Sequence, residues 1–348
     1  MVKFLKDLTY KMPAEWEKQK STWIAWPHNK TDWPNKFRFI PDVFGKIISK
    51  ISKVQKINIL IENKEKKEKI ILFLRNYEIN FRNVSFSVCK TDRVWVRDSF
   101  PIFVKNKVNK KILLNWKFNA WAKYKNFKYD NGICQKIKKK LNLKDVKPTI
   151  KNKRIVLEGG SIDVNGKGTL LTTLECLHSK VQERNPGFKR KDYENIFKKF
   201  LGVGNVIWLN KGIVGDDTHG HVDDIARFVD EKKIFIASEN NKRDINHKPL
   251  KENYQIVNKF NKKNKFKIIK IPMPSAKFIQ GVRVPASYLN FYIANKLVLV
   301  PTFKDRKDKN VIKIFKKHFK NRNVVPIDCS KLIWGFGAVH CMTQQEPI

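Results

Sequence analysis

The sequence contains no uninterrupted apolar run that approaches the roughly 18 residues needed to span a membrane. Residues 1–19 also lack the continuous apolar stretch of a secretory signal. These two absences argue against a membrane partner and predict a soluble, cytoplasmic protein. With 348 residues, of which 41% are hydrophobic, the chain is long enough to bury a large core.

Cysteine is scarce, and the five cysteines are widely scattered and odd in number. This distribution argues against a disulfide framework, and the lack of a C-x-x-C pair argues against a zinc site. Most free cysteines are small buried apolar residues, so each one is first interpreted as part of the core. The set consists of Cys89, Cys134, Cys176, Cys329 and Cys341.

Acidic residues are outnumbered, with 32 Asp and Glu against 73 Lys and Arg, which gives a net charge of +41. Such an excess is typical of proteins that bind nucleic acid or anionic surfaces. The lysines are nevertheless spread along the whole chain, and no helix-turn-helix, zinc-finger or RNP signature organises them. We therefore predict a solvated basic surface without a specific nucleic-acid partner. A basic nucleic-acid-binding protein stays open as an alternative function.

No Ser/Gly-rich linker and no Gly-rich phosphate loop interrupts the chain, which argues against separable domains and against a Rossmann or P-loop nucleotide site. We predict one domain over residues 1–348. The last three helix candidates begin about 60 residues apart, which favours a radial array of α/β units over an ordinary α/β sandwich. Helices are predicted at 41–54, 64–75, 131–143, 193–201, 252–262 and 310–319, and strands at 56–61, 205–209, 266–271 and 323–327.

Charged residues interrupt two of the predicted apolar strands. Arg97 and Asp98 lie within the strand predicted at 95–104, and Glu158 follows the strand-like run 155–157 and precedes two glycines. Charges rarely lie in a core without a partner. Both segments therefore fit a functional site, but they also fit a structural ion pair at a hairpin end and a carboxylate that caps a turn.

The densest polar segment is 215–224. If His221 begins a strand that continues to residue 228, then His221 and Asp223 project from one face. An imidazole beside a carboxylate can serve as acid and base near neutral pH. His219, His221 and Asp223 also resemble the His-x-His-x-Asp ligands of metallo-hydrolases, so a metal-dependent hydrolase is one alternative. A solvated acidic loop is the other.

The C-terminal segment 334–345 combines glycines, a strand-like apolar run and the pair His340 and Cys341. Chain ends are usually frayed and polar, so this composition predicts an ordered end that is docked on the rest of the molecule. Cys341 is for this reason the cysteine that we predict to be reactive.

These segments resemble the agmatine deiminase family, which is related to the bacterial peptidylarginine deiminases, and the likeness extends over nearly the whole chain. The resemblance implies the pentein fold, an α/β fold in which repeated ββαβ units form a five-bladed, propeller-like fan around a central site. The matching motifs, in chain order, are 12–17, 22–27, 95–101, 158–160, 168–173, 175–177, 220–223, 286–288, 290–292, 340–341 and 343–345.

The resemblance also implies a reaction. Cys341 would attack the guanidinium carbon, His221 would serve as acid and base, and Glu158 would orient His221. The implied reaction is hydrolysis of agmatine to N-carbamoylputrescine and ammonia, a step in putrescine and polyamine biosynthesis. It would proceed through a covalent thiouronium on Cys341, with no cofactor and no metal. Free or peptidyl arginine is the alternative substrate.

A small cationic guanidino compound is the implied ligand, bound by Asp98 and Asp223 with Trp95 lining the pocket. A guanidinium is planar and always protonated, so two carboxylates can each bind one of its edges. Asp217, another expected substrate contact, stands where the family commonly has glutamate, which shortens its reach. We expect the carboxylates to raise the thiol pKa of Cys341 and the bound cation to lower it. A homodimer is the expected assembly.

Overall fold

The computed structural model describes residues 10–150 and 152–348. Residues 1–9, which contain half of the segment tested for a secretory signal, lie outside the described residues. Within the described ranges, none of the helices combines the length and the apolarity that a bilayer crossing requires.

The helices predicted from the sequence are confirmed, with their ends shifted by a few residues. A π-helical segment, Phe197–Leu201, forms the second half of the fourth of them. The described helices are α1 (Ile40–Ser52), α2 (Glu65–Leu74), α3 (Val96–Ser99), α4 (Ile133–Leu141), α5 (Leu174–His178), α6 (Arg190–Ile196), α7 (His247–Asn264) and α8 (Asp308–His318).

Helix α8 illustrates why these segments are helical. Val311 and Phe315 are four residues apart, so they lie on one face, and both are fully buried. Lys316 and Lys317 lie in the last turn, where positive charge interacts favourably with the helix dipole. The spacing of the apolar residues and the charges in the last turn therefore both favour a helix here.

Four small sheets repeat one order of elements, in which an antiparallel hairpin is followed by helix and then by a third strand parallel to the second. The strands predicted at 205–209, 266–271 and 323–327 are the third strands of three such units and are confirmed. The four sheets consist of β4 (Ile102–Lys105), β5 (Lys111–Leu114) and β6 (Asp145–Val146); β9 (Asp163–Val164), β10 (Thr169–Thr173) and β11 (Asn205–Leu209); β12 (Ala226–Asp230), β13 (Lys233–Ser238) and β14 (Lys267–Pro272); and β17 (Tyr292–Ala294), β18 (Leu297–Thr302) and β19 (Asn323–Asp328).

The fifth sheet joins the two ends of the described chain. Strand β1 (Gln19–Ala25) runs parallel to β2 (Lys56–Ile61), which is parallel to β3 (Val84–Val88). The C-terminal strand β20 (Gln344–Pro347) pairs antiparallel with β1, with Trp23 opposite Gln344. This pairing completes a fifth ββαβ unit and confirms both the five-bladed fan and the docked C-terminus. Two short hairpins complete the set, β7 (Thr149–Ile150) with β8 (Lys153–Arg154) and β15 (Lys277–Ile279) with β16 (Val282–Val284).

Aromatic side chains pack neighbouring units together. The ring of Phe315 on α8 lies 5.1 Å from that of Phe235 on β13 and 5.0 Å from that of Phe291, which precedes β17, and both contacts are edge-on. Such contacts contribute beyond their buried area. The core therefore runs continuously between these two blades, which gives the central site a rigid frame.

The strand predicted at 95–104 is wrong in its first half. Residues Val96–Ser99 form α3, and the strand begins only at Ile102. The backbone N–H of Arg97 donates to the carbonyl of Cys341 at 3.1 Å, so a contact with the C-terminal segment replaces strand pairing. The turn places Asp98 at the centre of the fan.

Three other local predictions are also corrected. Residues 155–157 form only an isolated bridge at Val156, and the run 334–339 contains a 3₁₀ turn, Leu332–Gly335, instead of a strand. The segment after His221 is a 3₁₀ turn, because one carboxylate oxygen of Asp216 accepts from the backbone N–H groups of Gly220 and His221 at 2.8 and 2.9 Å. The strand there begins only at residue 226.

Candidate active site

A cavity of about 370 Å³ opens at the centre of the fan. Cys341 and Asp98 form part of its wall, together with Trp95 and Asp217. The three other predicted site residues, His221, Glu158 and Asp223, are almost completely buried and lie outside the cavity wall. The folded chain therefore places a thiol and several carboxylates around a cavity that a small ligand can enter.

Asn290 fixes the position of Cys341. Its side-chain amide donates to the sulfur at 3.0 Å. Its carbonyl oxygen accepts from the backbone N–H groups of His340 and Cys341 at 3.0 and 3.2 Å. Asn290 thus holds both the backbone and the sulfur of Cys341, and the sulfur already has one donor that can stabilise a thiolate.

The surroundings of Cys341 disfavour its ionised form. Burial raises the pKa of the thiol well above its ordinary range, and the carboxylates of Asp223, Asp224 and Asp98 raise it further. The direction agrees with the expectation from the sequence. A cation placed beside these carboxylates would reverse the effect.

Asp98 presents its carboxylate to the cavity from helix α3. One oxygen accepts from the indole N–H of Trp121, and the other accepts from the backbone N–H of Gly160, both at 2.9 Å. Burial raises the pKa of Asp98 to about 6, since these donors and the nearby His221 offset only part of the desolvation. A bound guanidinium would favour the ionised carboxylate.

His221 lies between two carboxylates. Its Nδ1 is 3.8 Å from Asp98 and its Nε2 is 3.6 Å from Glu158. Burial alone would lower the pKa of His221, but Asp98 and the side chains of Cys176 and Glu158 raise it well above its ordinary value. The imidazole is therefore biased toward the protonated form, as a proton donor requires. The neighbouring carboxylates are these two and not Asp223, because residues 222–224 form a turn.

Glu158 is anchored from behind by Arg184, whose Nε donates to it at 3.1 Å. Burial would raise the pKa of Glu158, but Arg184 and His221 together lower it to about 2. Glu158 is thus a permanent anion that faces the imidazole. Arg184 also donates to the carbonyls of Gln182 and Thr218, at 2.9 and 2.5 Å, so its position is fixed.

Gly160 shows how closely the catalytic candidates converge. A β-carbon on this residue would lie 2.6 Å from His221 Nδ1, 2.8 Å from an Asp98 oxygen and 3.1 Å from an Asp223 oxygen. Any larger residue at this position would therefore displace the three side chains. Glycine is required here because the backbone passes directly against them.

Asp223 is completely buried and contacts His340, whose Nδ1 lies 2.6 Å from one carboxylate oxygen. The other oxygen, Oδ1, has no hydrogen-bond partner in the part of the chain that the structure describes. Burial would raise the pKa of Asp223, but the His340 hydrogen bond lowers it. The Asn290 amide nitrogen lies 3.5 Å from Asp223 and 3.0 Å from the Cys341 sulfur, so an ionised carboxylate with a free oxygen is available beside the thiol to bind an N–H donor of a ligand.

Behind Asp223, a buried network extends to the first blade. His340 Nε2 lies 2.8 Å from Glu15, and Glu15 also accepts from Arg97 and Arg227, both at 3.1 Å. A protonated imidazole can donate to both carboxylates at once, whereas a neutral ring can donate to only one. Glu15 therefore connects the position of Asp223 to two buried arginines.

Asp217 and Trp95 line the cavity as expected, but the carboxylate of Asp217 is already occupied. Lys123 forms an ion pair with one oxygen, and the hydroxyl of Tyr124 donates to the other at 2.8 Å. Trp95 is packed beneath Gly335 and Gly337, where a β-carbon would lie within 3 Å of its ring. The indole therefore forms a fixed wall.

The structure does not bring together His219, His221 and Asp223, which are the ligands that the metallo-hydrolase alternative requires. His219 faces the Ser179 hydroxyl at 3.1 Å, and Asp223 faces His340. Among the described residues, the only group of three potential ligand atoms within 4.8 Å is Glu158, Cys176 and His221, and this group excludes both. Arg184 bound to Glu158 adds a positive charge that opposes a cation there.

Several residues of the site were not assigned a role from the sequence. Asn290, His340 and Glu15 occur in the matching motifs, but nothing local indicates what they contact. For Arg184 a signal existed, because a buried Glu158 beside an apolar run requires a cation. The partner itself is 26 residues away and has no motif of its own.

Comparison with known proteins gives concordant matches. The sequence matches the model of the Porphyromonas-type peptidyl-arginine deiminase family over residues 11–347. The agmatine deiminase of Medicago truncatula is 31% identical over 373 residues, which cover 97% of this chain and 96% of the plant protein. A cysteine-to-serine variant of C. jejuni agmatine deiminase with substrate bound aligns with a TM-score of 0.88 at 27% identity, covering 98% and 97% of the two chains. Enterococcus faecalis agmatine deiminase aligns with a TM-score of 0.87 at 27% identity, covering 97% and 96%.

Proposed function

The chain belongs to the Porphyromonas-type peptidyl-arginine deiminase family, and we propose that it is an agmatine deiminase, which hydrolyses agmatine to N-carbamoylputrescine and ammonia. Three relatives that match over nearly the whole chain are agmatine deiminases. The product would serve putrescine formation. The observation that most supports this function is the thiol of Cys341 in a cavity beside carboxylates, one of which has a buried oxygen without a partner in the described chain.

Substrate binding uses two of the carboxylates that act on the thiol. The planar guanidinium donates along its edges to Asp98 and to the free oxygen of Asp223, through charge-assisted hydrogen bonds. This pairing compensates buried negative charge, which is costly when it is unpaired. It also fixes the guanidinium carbon in front of Cys341, so that the attack is effectively unimolecular.

The bound cation also prepares the nucleophile. Its charge offsets the carboxylates that raise the pKa of Cys341, so the thiol loses its proton to solvent and the thiolate forms when substrate is present. The sulfur then attacks the guanidinium carbon and forms the C–S bond. His221, protonated in the free enzyme, donates its proton to the departing nitrogen, which leaves as ammonia. A positively charged thiouronium remains on Cys341.

Hydrolysis uses the same groups in reverse roles. His221, now neutral, accepts a proton from water as the oxygen attacks the thiouronium carbon. The C–S bond breaks, the electron pair returns to Cys341, and the hydroxyl proton passes to solvent, where the ammonia released earlier becomes ammonium. Glu158 keeps the imidazole oriented and favours its charged form in both steps. The product is the ureido compound N-carbamoylputrescine.

A panel of guanidines tests the proposed substrate. We expect ammonia release from agmatine with a kcat/KM at least about tenfold above that for free arginine or a peptidyl-arginine, because the cavity wall offers carboxylates to a second cation. Ammonia would be quantified with a coupled enzymatic assay, with and without a chelator. Arginine or peptidyl-arginine as the preferred substrate would reassign the enzyme within its family. Loss of activity on chelation would instead favour the metallo-hydrolase.

The titration of Cys341 tests substrate-assisted ionisation. We expect alkylation by iodoacetamide to show a thiol pKa well above the ordinary cysteine value in the free enzyme, and a lower one when a cationic, non-hydrolysed substrate analogue is bound. The Cys341→Ser variant supplies the background from the four other cysteines. An unchanged titration of Cys341 on binding would refute this step without affecting the identity of the nucleophile.

A further inference from the structure

Two carboxylates besides Asp98 line the cavity, and they differ in what they already contact. Asp217 uses both of its oxygens, one with Lys123 and one with Tyr124. Its negative charge is therefore compensated before any ligand arrives. A ligand cation beside Asp217 would also be repelled by Lys123.

Asp32 has an unused oxygen. It ends the 3₁₀ turn Lys30–Asp32, and its side chain is 12% exposed. Its Oδ1 accepts from the side-chain amide of Asn29 at 3.1 Å. Its Oδ2 is buried and has no hydrogen-bond partner within residues 10–150 and 152–348. The structure thus leaves an acceptor at the wall of the same cavity that contains Cys341.

Arg93, the cation paired with Asp32, makes its hydrogen bonds to another residue. Its Nε is 3.9 Å from the carboxylate, beyond hydrogen-bonding distance. Its two terminal nitrogens donate to the backbone and side-chain oxygens of Asn126 at 2.8 and 2.9 Å. The guanidinium lies over the ring of Tyr124 at 4.5 Å. Arg93 therefore offers Asp32 long-range attraction but no donor.

The free oxygen of Asp32 is costly in the empty protein. Burial, with a smaller contribution from the charge of Asp217, raises the pKa of Asp32 to about 6, because Arg93 and His28 offset only part of the desolvation. An isolated buried carboxylate is expected to be protonated or to bind a donor. A ligand ammonium supplies both a positive charge and three donors.

On the basis of the proposed function, we propose that Asp32 binds the ammonium at the far end of the substrate and so selects alkylguanidines that end in a primary amine. Trp95, Trp334 and Phe336 line the same cavity and supply an apolar wall for the methylene chain between the two cations. Asp217 is the weaker partner for the ammonium, because Lys123 already neutralises its charge and would repel a second cation.

The test compares two substrates that differ only in the distal ammonium, agmatine and 1-butylguanidine. In Asp32→Asn we expect kcat/KM for agmatine to fall at least about tenfold through a higher KM, as loss of a charged hydrogen bond predicts. The ratio of kcat/KM for agmatine to that for butylguanidine falls by the same factor. Asparagine keeps the oxygen that Asn29 contacts, so the fold of the turn is preserved.

Two further variants identify the partner of the ammonium. Asp217→Asn is expected to change the ratio less than Asp32→Asn does, and Asp230→Asn, which lies outside the cavity wall, controls for net charge. A larger loss in Asp217→Asn than in Asp32→Asn would overturn the proposal and place the ammonium at Asp217, with Lys123 displaced. An unchanged ratio in Asp32→Asn, or an equal loss on both substrates, would also overturn it.

Different results would contradict the proposed function and the assignment of Asp32. If the wild-type enzyme releases no ammonia from agmatine, the proposed function fails, and the ratio cannot be formed. If wild type is active and prefers agmatine but Asp32→Asn keeps that preference, only the assignment of Asp32 fails. Asp32→Glu, which restores the charge, is expected to recover part of the lost ratio, whereas a purely structural role would leave it as low as in Asp32→Asn.

Discussion

Replacing Cys341 with serine is expected to lower kcat/KM for agmatine by at least about 10³-fold, because the hydroxyl is a far weaker nucleophile in this environment. Burial and three carboxylates already oppose ionisation of the thiol. A serine hydroxyl has a much higher intrinsic pKa, so even a bound guanidinium would not produce a useful alkoxide. Steady-state ammonia release and acid-quenched mass spectrometry of the Cys341 peptide would measure the loss of turnover and of the thiouronium.

The control for this substitution is Cys89→Ser. Cys89 is also buried, but it does not line the cavity, so its loss tests whether the removal of any buried thiol impairs the enzyme. We expect Cys89→Ser to retain activity and Cys341→Ser to retain substrate binding. Activity of Cys341→Ser within tenfold of wild type would show that another group attacks the guanidinium carbon.

Much of the fold could be predicted because the signals are local. Apolar residues at helical spacing, as at Val311 and Phe315, identify the helices, and the repeat length indicates equivalent units. The closure of the fan could not be derived in this way. Trp23 pairs with Gln344, and no residue near either one indicates a partner at the other end of the described chain. Only the family resemblance implied the fifth blade.

In the candidate site, too, some residues are indicated by a local sequence pattern and others are not. Asp98 and Glu158 stand out because a charge lies in or beside an apolar run, and His221 stands out because it lies in the densest polar segment; both signals are local. The turn after His221 was missed, because it depends on one carboxylate, Asp216, that accepts two backbone N–H groups. Asn290 was missed as a catalytic neighbour because it reaches Cys341 across 51 residues of sequence. Residues that act through distant partners leave no local pattern.

Glu15 is the most distant of these partners, and its replacement by glutamine is expected to reduce the free energy of unfolding by about 3 kcal/mol or more. Glu15 accepts from Arg97, Arg227 and His340 within 3.1 Å. Glutamine keeps the shape but removes the charge, so two buried arginines lose a counter-ion. Arg227 keeps its ion pair with Asp163, whereas Arg97 keeps only neutral acceptors. Urea unfolding of both proteins at neutral pH would measure the difference.

The pH dependence of the difference in unfolding free energy between wild type and Glu15→Gln distinguishes loss of the charge from a packing defect. Burial would raise the pKa of Glu15, but Arg227, His340 and Arg97 together lower it far below its ordinary range. A carboxylate with a depressed folded-state pKa stabilises fully above its unfolded value of about 4.3 and loses that contribution as pH falls further. We therefore expect the difference between wild type and Glu15→Gln to shrink progressively as pH falls below about 4, because protonation of the carboxylate then favours the unfolded wild type. A constant difference from neutral to acid pH would indicate a packing defect. Glu68→Gln, at a side chain that is 78% exposed, is expected to track the wild type throughout.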